Sequence, residues 1–319
     1  MSLPNPDTVT AANPQPASEG RAPLTVFACA AAIVVSLGAM AESGRPTWAQ
    51  LAKWGYLPAE RIWDGAVWAL VSSAFVHLAL WHLVFNVYWL WRFGAAVERE
   101  LGPLRFLGFV VVAALVSSGL QLAVTGDTGI GASGVVYGLF GLMWRSKERV
   151  ARFAQALGPE TSSLFFVWLI ACLVSTQLGF VQIGNTAHFS GLLFGVLVAE
   201  WRFGGSHRRL AATATGILGV LSLFGANVNP WSERWLEYQA MKLHRDQQYE
   251  IAALAYERSL SFGADSAWVF HNLALTYSAL GDSARAADAL RRLRAKAPAE
   301  ADSLERKLRD PDASHVRAH

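Results

Sequence analysis

Cysteine is nearly absent: the 319 residues hold two, Cys29 and Cys172, each inside an apolar run. Thiols so placed exclude a disulfide framework and a thiolate metal centre, and read as small buried hydrophobes. Charge is scarce as well. Only 16% of residues are Asp, Glu, Lys or Arg, against about 25% in an average soluble domain. A formal net charge of +3 with no long basic run excludes nucleic acid as a partner. The apolar runs carry no acidic residue, which argues against a cation transporter, because such proteins bind or relay ions through intramembrane carboxylates. No three metal-ligand side chains converge, so neither metal nor cofactor is expected. What fills the chain instead is hydrophobic side chains at 53%, 13 tryptophans and a mean hydropathy of +0.28. This composition predicts a membrane protein for most of its length.

Residues 1–22, rich in Pro, Ala, Asn and Ser, read as a disordered tail. Residues 23–40 then run without a charge and suit a short membrane span. A signal peptide competes for this run, because Ala39-Met40-Ala41 resembles a small-residue cleavage site. The long lead with its single basic residue, Arg21, favours the span. Residues 41–70 mix charges with Trp48, Trp54, Tyr56, Trp63 and Trp68, as expected of a loop lying at the membrane interface. Residues 65–91 are again uncharged and hold a crossing helix with His82 and Asn86, ending at Arg92 or at Glu98-Arg99-Glu100. Residues 106–124 form a clean span, followed by the glycine-rich loop 125–131 and about a dozen apolar residues from Ser133 to Trp144. At about 1.5 Å per residue that last helix covers little more than half the hydrocarbon, so its serine end should lie below the surface in a cavity held open by other helices. Residues 162–180 span once more, 186–198 make a helix carrying His188, and 210–228 form a seventh candidate.

Basic residues set the orientation. Arg145, Lys147, Arg149 and Arg152 follow the serine helix, and Arg202, His207, Arg208 and Arg209 follow the histidine helix. Both clusters are expected in the cytoplasm. Counting back puts the N-terminus inside and Ser133, His188 and His82 all toward the extracytoplasmic side. Beyond Pro230 the composition turns charged and alanine-rich. The series Phe270-x2-Leu273-Ala274-x2-Tyr277-x3-Gly281-x4-Ala286-x3-Leu290-x2-Leu293-x4-Pro298 fits the 34-residue tetratricopeptide pattern. One period earlier Leu236, Ala240, Leu243, Ala252 and Tyr256 fill the same places less faithfully. If 210–228 crosses the membrane, these repeats are extracytoplasmic; if it lies flat, they are cytoplasmic. Crossing is the favoured reading. Such repeats form grooves for a protein or peptide partner.

Ser133 and Tyr137 are four residues apart and share a helix face, as do His82 and Asn86. A serine hydroxyl needs a neighbouring base to take its proton, and His188 is the base type at matching depth besides His82. Tyr137 is placed to pack against that imidazole. Gly134 and Gly138 on one helix, with Ala187, Gly191 and Gly195 on the other, are small-xxx-small seams that let two backbones approach closely. Asn86, His82 and the Ser133 amide at its helix start are candidate donors for a tetrahedral oxyanion. Each feature alone has an ordinary packing explanation; their joint spacing does not.

Together these residues resemble the rhomboid intramembrane serine protease family over roughly residues 60–205. His77-x4-His82-x3-Asn86, followed by Gly94-x3-Glu98, resembles the second-helix signature. Gly131-Ala-Ser133-Gly134 with Tyr137 resembles the nucleophile motif, and Ala187-His188-x2-Gly191-x3-Gly195 the base motif. Trp68 is followed by Ala69, where family members often carry Trp-Arg. The resemblance implies Ser133 as nucleophile, His188 as general base, His82 and Asn86 as oxyanion donors, and Tyr137 stacked on His188, with Gly131, Gly134 and Gly191 supporting the site. It implies cleavage of transmembrane protein substrates near the outer membrane face, with no cofactor or metal. A non-proteolytic adaptor that recruits partners through its repeats is the alternative; such relatives typically lack the serine or the histidine, and this chain has both.

The expected architecture is all-α. A tail (1–22) precedes a polytopic helix bundle of six core helices (23–205) and a seventh span (206–229). Tetratricopeptide-like repeats (230–300) and a charged tail (301–319) follow. The expected location is the bacterial cytoplasmic membrane, in contact with lipid.

Overall fold

The computed structural model describes residues 20–42 and 46–309, and among these every regular element is helical. The tail expected at 1–22 lies almost wholly outside the described residues. The chain opens with α1 (Pro23–Ala41), begun by a proline whose missing N–H belongs to the unpaired first turn. Thr25, Ala28, Cys29, Ala32, Ser36 and Ala39 face inward, while Val26, Phe27, Val34 and Leu37 are exposed. Small residues inside and large apolar ones outside is the pattern of a helix whose outer face meets lipid and whose inner face must come close to a neighbour.

Short helices α2 (Trp48–Lys53), α3 (Ala59–Trp63) and α4 (Ala69–Ser72) make up the first loop, and a single 3₁₀ turn (Ser73–Phe75) extends the last. Ala69 and Leu70 are buried with Ala59, Ile62, Leu122 and Ala226, so the loop is held down by apolar packing. Then comes α5 (Leu80–Leu101), bent 102° from the preceding turn. The uncharged run 65–91 is therefore not one straight helix: Val76 and Ala79 are extended and break it, and the expected helix with His82 and Asn86 begins beyond the break.

The core continues with α6 (Pro103–Thr125), α7 (Ser133–Ser146), the small α8 (Ala151–Ala156), α9 (Pro159–Gln177), α10 (Asn185–Phe203) and α11 (Arg208–Asn227). Four helices, α1, α6, α9 and α11, are long and apolar enough to cross a membrane, and the bent pair around α4 and α5 makes a fifth. This is an integral membrane protein. At 14 residues α7 is too short for that test, as its sequence predicted, and it is buried along most of its length. Its main partner is α10, through the glycine seams (Gly134, Gly138, Gly141, Gly191 and Gly195), where backbone faces backbone.

Glu98, near the end of α5, is buried and accepts hydrogen bonds from the Leu24 amide (3.0 Å), the Thr25 amide (2.7 Å) and the Thr25 hydroxyl (2.7 Å). The first-turn donors of α1 are thereby satisfied by a carboxylate on another helix. The helix α5 runs ten residues past its uncharged stretch, through the Glu98-Arg99-Glu100 end the sequence offered, and this carboxylate serves as a cap.

The α11 helix packs on α6, with the Ser222 hydroxyl donating to the Leu115 carbonyl at 2.8 Å. Past its end, the Asn229 amide and the Trp231 indole donate to the Ala123 carbonyl, both at 2.8 Å. Two helical hairpins follow, α12 (Glu233–Arg245) with α13 (Tyr249–Ser261) and α14 (Ala267–Ala279) with α15 (Ser283–Lys296). Ser232, Ser266 and Asp282 cap three of them in the ordinary way. A last helix, α16 (Pro298–Arg309), buries Ala301 and Leu304 in the same core as Tyr256, Phe270 and Leu293. Residues 301–309, expected as a charged tail, thus continue the helical domain and cover the apolar face that two hairpins alone would leave open.

Candidate active site

Ser133 is the first residue of α7 and His188 lies in the first turn of α10; the two helices run side by side with their starts together. The Ser133 hydroxyl and His188 Nε2 are 2.9 Å apart, although the residues are 55 apart in sequence. The approach needs bare backbone: a Cβ on Gly191 would strike the Gly134 carbonyl oxygen, and one on Gly134 would sit 2.5 Å from the Ser117 side chain. The Tyr137 ring lies on the imidazole, centroids 4.8 Å apart and planes 31° from parallel, and its hydroxyl donates to the Phe165 carbonyl at 3.2 Å. So held, the imidazole cannot swing away. Its Nδ1 is buried without a partner, and no carboxylate orients it, among the described residues. Packing by Tyr137, rather than a third polar residue, holds the ring of the pair.

The backbone leading into Ser133 is anchored by His77, Ser36 and Ser73. Ala132 N–H donates to His77 Nε2 (3.2 Å), and His77 Nδ1 meets the Ser36 hydroxyl of α1 at 3.0 Å. Gly131 N–H donates to the Ser73 carbonyl (3.1 Å). Gly131 itself has φ +97°, and a Cβ there would lie 2.7 Å from His82 Cε1 and 2.9 Å from the His77 ring, so glycine is required twice over. Gln121 holds the other half: its side-chain oxygen accepts from the Ala187 amide at 3.0 Å. His77 was visible as the head of the His77-x4-His82 spacing, whereas nothing in the sequence marked Ser36 or Gln121.

Of the expected oxyanion donors, His82 stands edge-on to His77 (centroids 4.9 Å) beside the Gly131 backbone. Asn86 is fully buried and turned onto its own helix, donating to the His82 carbonyl at 2.9 Å, with its side-chain oxygen unpaired. One N–H of that amide remains for another acceptor. The backbone ladder of α7 starts with Val136 N–H donating to the Ala132 carbonyl at 2.9 Å. The amides of Ser133, Gly134 and Val135 thus precede it at the positive end of the helix, where they suit a developing anion. At the far end of both helices Glu200 pairs with Arg145 and lies 3.8 Å from Arg149, fixing the seam opposite the site.

Fold and site together define a class, helical membrane proteins with a serine and a histidine paired between two closely packed helices. Residues 64–204 match the family profile of the Rhomboid domain. Over 135 residues the chain is 38% identical to the rhomboid protease GlpG of Yersinia pseudotuberculosis serotype I (strain IP32953), covering 42% of this chain and 48% of that protein. The rhomboid protease GlpG of Yersinia pestis (strain Pestoides F) is similar at the same identity and coverage, and that of Yersinia enterocolitica serotype O:8 / biotype 1B at 37%. The chain spans about half the length of the curated relatives it matches.

Proposed function

We propose that the protein is an intramembrane serine endopeptidase that cleaves transmembrane protein substrates near the extracytoplasmic face. The observation that carries this reading is the 2.9 Å pairing of Ser133 with His188 beneath a stacked Tyr137. His188 Nε2 takes the Ser133 proton as the hydroxyl attacks the scissile carbonyl, then gives it to the leaving amine; water repeats the sequence to release the acyl group. The amides at the start of α7, His82 and the free N–H of Asn86 receive the oxyanion. Gly131, Gly134 and Gly191 keep the two helices close enough for this chemistry.

The basic ends of α7 and α10 support a cytoplasmic location for those ends and an extracytoplasmic one for the site, in a bacterial cytoplasmic membrane with six core helices and α11 as a seventh. The helices after Pro230 are read as tetratricopeptide-like repeats on the same side as Ser133, available to a protein or peptide partner. The test is cleavage of a generic transmembrane substrate by purified protein in lipid. Wild type cleaves, and Ser133→Ala and His188→Ala do not; equal cleavage by either variant refutes the dyad. A folded wild type that neither cleaves nor reacts with a serine-directed probe at Ser133 favours the alternative, a membrane adaptor working through its repeats.

A further inference from the structure

Three groups on the repeat domain reach the membrane domain at its catalytic end. Lys242 Nζ is 3.1 Å from Asp64 in the first loop, and the Tyr238 ring lies 5.5 Å from that of Trp63. The third contact differs in kind. Arg234, in the first turn of α12, places Nε 2.9 Å from Glu60 and a terminal nitrogen 3.1 Å from Asp127. Glu60 belongs to the first loop; Asp127 belongs to the loop 126–132 that leads into α7, six positions before Ser133. One guanidinium fork therefore ties two membrane-domain loops to each other and to the repeats.

The fit around it is close. Gly126 has φ +71°, and a Cβ there would lie 2.9 Å from the Ser232 hydroxyl and 3.4 Å from Arg234 Cβ. Tyr56 reaches the next residue of the loop, its hydroxyl 3.4 Å from the Thr128 carbonyl. Asp127 has one carboxyl oxygen covered and without a hydrogen-bond partner, so the Arg234 contact is its main compensation. Burial pushes the Asp127 carboxyl up, the Arg234 guanidinium pulls it back down, and the Glu60 carboxylate pushes it up again. Without the guanidinium, two carboxylates face each other across the gap and the loop loses its outer anchor. The inner anchors, His77 and Ser73, act on Ala132 and Gly131 and leave Asp127 untouched.

We propose that Arg234 is a positioning residue for catalysis: from the repeat domain it fixes the loop that presents Ser133, making the repeats part of the active-site scaffold. The inference rests on the serine hydrolase reading above. The consequence is that reactivity of Ser133 toward a small probe, which needs no recruitment, depends on a residue outside the membrane domain.

The experiment measures the rate at which a small fluorophosphonate labels Ser133 in the full chain reconstituted in lipid, with thermal unfolding recorded on each sample. Arg234→Gln is expected to slow labelling about tenfold, short of the roughly hundredfold that a 1 Å misplacement costs. Arg234→Lys should recover part of the rate, and Arg234→Gln with Asp127→Asn should be no slower than Arg234→Gln alone. Lys242→Gln, which breaks an inter-domain pair away from the loop, should label at the wild-type rate. Equal labelling of wild type and Arg234→Gln overturns the proposal while leaving the hydrolase reading intact. Equal slowing by Lys242→Gln also overturns it, by showing that docking in general is what matters. A folded wild type that fails to label overturns the hydrolase reading and this inference with it.

Discussion

Replacing Gly191 by alanine is the sharpest perturbation of the site that leaves its chemical groups in place. The added methyl would meet the Gly134 carbonyl oxygen, with the Gly134 carbonyl carbon at 3.0 Å and its Cα at 3.3 Å. Ordinary carbon contacts lie at about 3.5–4.0 Å. The obstructing atoms are backbone, so no rotamer change relieves them and α7 and α10 must part by roughly 1 Å. The same seam sets the 2.9 Å between Ser133 and His188. Opened by that amount, the pair leaves the hydrogen-bonding range, which ends near about 3.2 Å. A displacement of this size costs on the order of 100-fold in rate, and overpacking a helix seam costs about 1–3 kcal/mol in stability. The assay is cleavage of a transmembrane substrate in lipid together with thermal unfolding. Gly108→Ala and Gly216→Ala serve as controls, since a Cβ at either meets nothing within 4 Å. If Gly191→Ala cleaves and unfolds like wild type, the close backbone approach is not what holds the dyad.

Glu98→Ala removes the acceptor for three donors at the start of α1 and should lower stability by about 3 kcal/mol, seen as earlier thermal unfolding; an unchanged unfolding temperature would dismiss the cap. In the C-terminal helical domain, burial first and the neighbouring Glu233 second push the Glu237 carboxyl up to about 7. The folded state thus holds this proton more tightly than the unfolded one, and stability is lost as pH rises from the ordinary carboxylate range through about 7. Because the side chain is only half-buried, the loss is about 1 kcal/mol once solvent screening is counted. Glu237→Gln should flatten that slope in unfolding curves taken between about pH 4 and about pH 8, and a slope unchanged by the substitution counts against it. Cleavage should withstand chelators, since no His, Cys, Asp or Glu cluster among the described residues could hold a metal ion; zinc-dependent recovery after chelation would contradict this.

Residue types and spacing announced the serine, the histidine and the glycine seams, because a polar group in hydrocarbon and a bare backbone at four-residue intervals each carry a strong physical signal. The short α7 was equally legible, its length being a simple count of apolar residues. The break after Phe75 was not, since an uncharged run reads alike whether its helix is straight or bent. Asn86, expected as an oxyanion donor, also spends one N–H on its own helix, a choice of rotamer that no pattern encodes. Ser36, Gln121 and Arg234 act through contacts between segments distant in sequence, and such contacts exist only once the chain has folded. Residues 301–309 looked like a tail because their charge hid the Ala301 and Leu304 stripe.

The shortness and burial of α7 have a consequence for how the protein is made. A 14-residue helix with Arg145 in its last turn cannot settle stably in lipid alone, so it leans on α5 and α6, made before it, and must wait for α10, made after it. Since Ser133 lies on α7 itself and His188 on α10, a partly synthesised chain holds the serine without that imidazole beside it. The Ser133–His188 pairing therefore forms only once α10 docks, and a chain stalled or truncated before that point lacks it.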